Sequence, residues 1–184
     1  GNQNAHGYQR KHPSFGELAQ VGFAARHLFM MPELEIRIDD LTDPRIVAFV
    51  AGHLSALRAL SPPESCHALP VHELRGRGVK FWSVWCGEEV AGCGALQELD
   101  PQHGEVKSMR TAHAYLRRGI AAMILKEILT EARERGYRRV SLETGSTEEF
   151  LPAQQLYLRH GFQFCGPFNG YKEDPLSSFM RLDL

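Results

Sequence analysis

Apolar and polar positions alternate over residues 34–39 (L-E-I-R-I-D), which predicts a strand with one buried face. The period then changes. Ile46, Val47, Phe49, Val50, Leu54, Leu57 and Leu60 recur at helical spacing, with Pro44 at the first helical position and Asp43 placed to cap it. Ser61-Pro62-Pro63 stops that helix, and a short helix is expected over 71–75. β-branched and aromatic residues fill 79–86, Gly87-Glu88-Glu89 reverses the chain, and 90–99 returns as a second strand. Gly92 and Gly94 interrupt that return; such glycines usually mark a bulge or the close approach of another group, and packing beneath a large side chain such as Trp82 or Trp85 is the simpler cause.

A turn at 100–104 leads into a strand over 104–111. Ile120, Ile124, Leu125, Ile128, Leu129 and Ala132 then define a long amphipathic helix, with Gly136 at its left-handed cap. A strand over 139–144, a short helix over 152–160 and strands over 162–165 and 177–184 complete the chain. The last two strands are separated by the loop G-P-F-N-G-Y-K-E-D-P-L. The order is β-α-α-β-β-β-α-β-α-β-β. Antiparallel runs flanking a central β-α-β unit predict an α+β fold, a mixed and mostly antiparallel sheet with helices on both faces.

The start of the long helix is electrostatically odd. Arg117 and Arg118 stand beside the positive end of the helix dipole, an unfavourable place for cations alone. Gly119 follows and lets backbone approach a neighbouring group. An anion held by the first-turn amides resolves the oddity.

Composition narrows the field by exclusion. With 184 residues and a net charge of −1, the chain has no field that favours nucleic acid or an anionic membrane. No apolar run is long enough for a membrane span. Cys66, Cys86, Cys93 and Cys165 form no C-x-x-C pair, and the nine histidines form no H-x-x-x-H pair. Reduced thiols in a cytoplasmic protein without a metal site are expected. Residues 1–32 differ from the rest. One reading is an extension upstream of a start at Met30 or Met31; the other is an arm that packs on a partner chain in a homodimer. The domain proper is expected at 33–184.

L-R-R-G-I-A at 116–121 resembles the pyrophosphate loop Q/R-x-x-G-x-G/A of the GCN5-related N-acetyltransferases, the GNAT superfamily. Gly119 and Ala121 match its last two defined positions. Leu116 departs from the first, where the adjacent arginines supply charge. Glu105, fourteen residues before Gly119, stands where many members have a strand glutamate. L-Y-L-R-H-G-F at 156–162 resembles the superfamily's C-terminal L-Y-x-x-x-G-F segment. S-P-P-E-S, G-C-G-A-L, K-S-M-R-T and S-L-E-T-G-S look closer still to a bacterial subgroup, the YsnE-like proteins, to which indole-3-acetic acid acetylation has been ascribed.

The resemblance implies a GNAT-like sheet splayed between its fourth and fifth strands, with acetyl-CoA as acetyl donor and no metal. It implies that amides of Arg118, Gly119, Ile120, Ala121 and Ala122 hold the pyrophosphate, with charge from Arg117 and Arg118. Backbone at Met109 and Thr111 would pair with pantetheine, and the amide near Met109 would polarise the thioester carbonyl. Tyr157 corresponds to the usual general acid; the alternative is a packed aromatic. An Asn often found just before it is absent here, where the chain reads Pro152-Ala153-Gln154. Glu105 is the proposed base, with Glu143 in reserve, each also explicable as a structural residue. The segment between the first two helices walls the acceptor site, which points to Ser61, Glu64, Ser65 and His67; a merely shaped connection is equally consistent.

Lys107 and Arg110 are the cations suited to an acceptor's carboxylate or phosphate; the competing reading is ion pairing with Glu105, Glu143 or Glu98. A regular strand puts Lys107 and Met109 on the face of Glu105 and Arg110 on the other, and a bulge near Ser108 changes that. The expected activity is direct N-acetylation of a small-molecule amine or amino-acid-like acceptor. Indole-3-acetic acid has no aliphatic amine, so that substrate is not expected. The alternatives are a non-catalytic acyl-CoA-binding regulatory module and a protein lysine acetyltransferase.

Overall fold

A computed structural model describes residues 33–60 and 67–184. The segment 1–32 and the positions Ser61, Glu64 and Ser65 lie outside the described residues. The elements are β1 (Leu34–Ile38), α1 (Pro44–Leu60), α2 (Val71–Leu74), β2 (Val79–Cys86), β3 (Glu89–Asp100), β4 (His103–Thr111), α3 (Ile120–Glu134), β5 (Arg139–Gly145), α4 (Leu151–Arg159), β6 (Gln163–Cys165) and β7 (Ser177–Asp183). Short 3-10 turns at His113–Tyr115 and Glu148–Phe150 precede α3 and α4. The Asp43 carboxylate accepts the Arg45 amide at 2.8 Å, which starts α1 just after Pro44.

The strands form one sheet in the order β1-β2-β3-β4-β5-β7-β6. Every pairing is antiparallel except β4 with β5. Alternation along β2 and β3 divides the core between the two faces. Trp82, Val84 and Leu96 pack with Ile120, Ile124 and Ile128 of α3. Phe81, Trp85, Cys93 and Ala95 pack with Ile46 and Val50 of α1 and Leu74 of α2. No described helix is long and apolar enough to cross a membrane.

Gly92 and Gly94 answer to the close approach of another group and not to a tryptophan. A Cβ on Gly94 would lie 2.5 Å from Met109 Sδ and 2.6 Å from Ile124 Cγ2; one on Gly92 would lie 2.6 Å from Ile120 Cγ2. The close approach of α3 and of Met109 to β3, rather than a tryptophan, excludes side chains there.

Two irregularities shape the centre. β4 and β5 pair in parallel from His103/Arg139 to Val106/Leu142, and the register ends there although both strands continue. The sheet is therefore splayed at its middle. In β4, Lys107 faces Ala95 and Arg110 faces Cys93, so β4 spends one residue more than β3 over this stretch. The extra residue is absorbed at Ser108, which has φ 53°. The bulge inverts the expected faces beyond it. Met109 turns to the α3 core, while Arg110 joins Lys107 on the α1 face, its guanidinium 4.9 Å from the Phe49 ring centroid.

Candidate active site

The turn between β4 and α3 leaves the start of the helix without a side-chain cap. Arg117 has φ 62° and Gly119, the N-cap of α3, has φ 80°. A Cβ on Gly119 would meet no atom within 4 Å, so its conformation, not lack of room, is what favours glycine. No side chain caps α3 and its first turn holds no acidic residue. The Met123 amide donates to the Gly119 carbonyl at 2.9 Å, closing the first helical turn. The amides of Ile120, Ala121 and Ala122 precede that bond and lack a helical acceptor. Arg117 and Arg118 are exposed beside them. Arg118 lies 5.1 Å from the Tyr115 ring centroid, and the Tyr115 hydroxyl donates to Glu89 at 2.6 Å. Leu116 is exposed and adds no polar group.

Where β4 and β5 part, a cavity of about 140 Å³ opens. Lys107, Ser108 and Met109 form one wall, Glu143 and Thr144 another, and Tyr157 of α4 faces them. Tyr157 is buried, with its ring 5.7 Å from that of Phe162. Burial, and then the nearby Glu143 charge, pushes the pKa of its hydroxyl upward, so it stays protonated at neutral pH. Gln154, in the stretch where the family's Asn was missed, donates to the Gly145 carbonyl at 2.8 Å and ties α4 to the end of β5. Thr111, at the end of β4, lies opposite Gly92.

The two glutamates occupy different settings. Glu105 is 2% exposed, and its Oε1 accepts from Lys107 Nζ at 3.1 Å and from the Tyr171 hydroxyl at 2.7 Å. Lys107 Nζ also donates to the Tyr171 oxygen at 2.7 Å. Lys107 thus makes the ion pair with Glu105 that its competing reading anticipated. Glu105 lines a depression beside the cleft, shared with His67, Lys107 and Tyr171. Glu143 lines the cleft itself and accepts from Ser177 Oγ at 2.7 Å. Burial raises its pKa above the ordinary carboxylate value, partly offset by the Ser177 hydrogen bond and by the charges of His67 and Lys107. His67 borders both spaces and meets the Tyr171 ring edge-on at 4.9 Å.

Three residues here were not anticipated from sequence. Tyr171 sits in the aperiodic loop before β7, and nothing local marks it. Ser177 opens β7. His53 lines the cleft from α1, and burial followed by the Arg110 charge lowers its pKa to about 4. Its signal was legible: His53 stands between Phe49 and Leu57 at four-residue steps, a polar residue in an apolar stripe. Arg110 Nη1 is buried without a hydrogen-bond partner. Among the described residues no group of His, Cys, Asp and Glu is placed to hold a metal ion.

Residues 53–162 match the model of the acetyltransferase (GNAT) family. The chain is 54% identical over 151 residues to the uncharacterized N-acetyltransferase YsnE of Bacillus subtilis (strain 168), covering 82% of this chain and 100% of YsnE. It is 55% identical over 149 residues to the uncharacterized N-acetyltransferase YedL of Escherichia coli (strain K12), covering 81% and 94%. Its fold matches that of a Bacillus subtilis acetyltransferase solved in complex with CoA, with a TM-score of 0.57 and 19% identity over 83% of this chain and 99% of that one. The splayed sheet, the uncapped helix start and these relationships agree, and the chain belongs to the GNAT family of acetyltransferases.

Proposed function

We propose that the protein transfers the acetyl group of acetyl-CoA directly to a small-molecule amine or amino-acid-like acceptor. The observation that carries this reading is the parting of β4 and β5, with unpaired helix-start amides at one end and Tyr157 and Glu143 in the cleft. The fit to the donor rests on that same helix start: five successive amides from Arg118 to Ala122 and two arginines match a pyrophosphate's oxygens and charge. Backbone of Met109 and Thr111, on the strand that leaves β5, lies free to pair with an extended pantetheine arm. When bound, the donor supplies an activated acyl group as a thioester.

The chain's own residues handle protons and charge. In this reading the amide of Met109, just after the bulge, polarises the acyl carbonyl. An alkyl amine, with a pKa of roughly 10, must lose a proton before it attacks. Glu143 is better suited to take it than Glu105. It lines the same cleft as Tyr157, and burial moves its pKa towards neutrality. Glu105 has one oxygen engaged by two donors and holds Lys107 and Tyr171 in place. Tyr157 keeps its proton until a thiolate leaves beside it.

Calorimetry with acetyl-CoA tests the reading. The native chain should bind in the micromolar range. R117A/R118A should bind about tenfold more weakly at low salt, the gap narrowing as salt rises. Equal affinity would refute the charge argument, and absence of binding by the native chain would overturn the function.

A further inference from the structure

We infer that the acceptor carries a carboxylate and that Arg110 is the residue that recognises it. The inference rests on the acetyltransferase reading above and narrows its acceptor.

Three basic side chains line the cleft, His53, His67 and Lys107, and a fourth, Arg110, lies outside its lining on the same face of the sheet, against Phe49. Lys107 is already compensated, since its ammonium meets the Glu105 carboxylate and the Tyr171 hydroxyl. His53 stays neutral at physiological pH, with a pKa near 4. His67 packs against the Tyr171 ring. Arg110 differs from all three. No described carboxylate pairs with it, and its Nη1 is buried with no hydrogen-bond partner. A guanidinium is charged at any accessible pH, so burial cannot neutralise it as it neutralises His53. A buried cationic donor left unsatisfied is costly, and the protein retains one beside a substrate cleft.

The location fits recognition. Arg110 follows Met109, the residue whose amide faces the acyl carbonyl in the proposed reaction. The Ser108 bulge is what turns Arg110 onto the α1 face with Lys107. The Phe49 ring lies under the guanidinium and restrains its plane. Its charge reaches His53, a wall residue of the cleft one helical turn from Phe49. A planar guanidinium with free N–H groups matches the two oxygens of a carboxylate. A phosphate shares that chemistry, but Glu105 and Glu143 lie on the same side of the sheet and disfavour a dianion. An amine bearing one carboxylate, as in an α-amino acid, therefore fits best.

Matched acceptors test this with the full chain. Acetyl transfer is followed by thiol release with the protein amino acids and their decarboxylated amines, for instance L-phenylalanine with 2-phenylethylamine and L-methionine with 3-(methylthio)propylamine; O-phosphoethanolamine forms a third arm. Acetyl-CoA affinity is measured alongside. The native chain should favour the carboxylated member of at least one pair by about tenfold or more in kcat/KM, and R110Q should collapse that ratio towards one, chiefly through KM. R110K, which keeps the charge but not the fork, should restore part of it. Equal use of both members by the native chain, a ratio retained in R110Q, or preference for O-phosphoethanolamine would each overturn the inference. So would transfer to no amino acid by a chain that binds acetyl-CoA, which leaves the donor reading standing. Failure to bind acetyl-CoA would instead sink both.

Discussion

Replacing Gly94 by Ala probes the contact between the sheet and the reaction centre. The added methyl would sit 2.5 Å from Met109 Sδ and 2.6 Å from Ile124 Cγ2. Nonbonded carbon contacts settle near 3.5–4.0 Å, so one or both neighbours must retreat by about 1 Å. Overpacking of this kind costs about 1–3 kcal/mol. For a domain of this size each kcal/mol lowers the melting temperature by about 2–4 °C. The position of the strain matters more than its size. Met109 directly follows the Ser108 bulge, and its amide is the group proposed to face the acyl carbonyl. A displacement of about 1 Å at such a group is enough for a loss of about a hundredfold in rate. Thermal unfolding and thiol-release kinetics read the two effects separately. G94A should melt lower and turn over more slowly, and G94A/M109A, which removes the sulfur contact, should regain part of the lost stability. If G94A melts with the native chain, the packing argument is wrong. A lower melting temperature with intact turnover would show that α3, not Met109, gives way.

Tyr157→Phe should lower turnover by about 10²–10⁴-fold while changing acetyl-CoA affinity much less, as read by pre-steady-state kinetics beside calorimetry; unchanged turnover would remove Tyr157 from the acid role. His53 makes stability depend on pH. Its folded pKa of about 4 lies below the unfolded value of 6.5, so the unfolded chain takes up a proton first and stability falls as pH drops through that window. In H53Q, denaturant midpoints measured between pH 7 and pH 4 should decline less steeply than in the native chain, and parallel declines would refute the assignment.

The order of the eleven helices and strands among the described residues follows from apolar periodicity and turn residues, with ends displaced by a residue or two. This succeeds because each element's buried face repeats locally, at a period of two or 3.6. Of the site, the helix start at Arg117, Arg118 and Gly119 was legible from local backbone and charge, while Tyr157, Glu143, Met109, Lys107 and His67, which line the cleft, came from the family resemblance and from strand position. The bulge near Ser108 stood only as an alternative to a regular strand, because Ser108 is no glycine and nothing in K-S-M-R-T marks a left-handed residue. One unmarked residue exchanged the faces of Met109 and Arg110 and with them the meaning of the strand's cations. Tyr171 was invisible for another reason: its partners Glu105 and Lys107 lie 66 and 64 residues away, and no periodicity reports such contacts. The glycines of β3 were noticed, but their cause lies in α3 and β4, which only the packed structure brings over them.

The end of the β4–β5 register after Val106 and Leu142 leaves two facing strand edges inside the protein. Outer edges of sheets are hazards because any extended chain can join them. An inner edge is screened by its own partner strand, so a ligand reaches it only by entering between β4 and β5. A molecule that fills that opening also bridges the two halves of the sheet, whose strands β4 and β5 otherwise pair at four positions at the base of the wedge. If acetyl-CoA occupies the opening as proposed, amide exchange should slow along β4 and β5, away from Arg117 and Arg118, and the ligand would serve for a time as a missing strand of the fold.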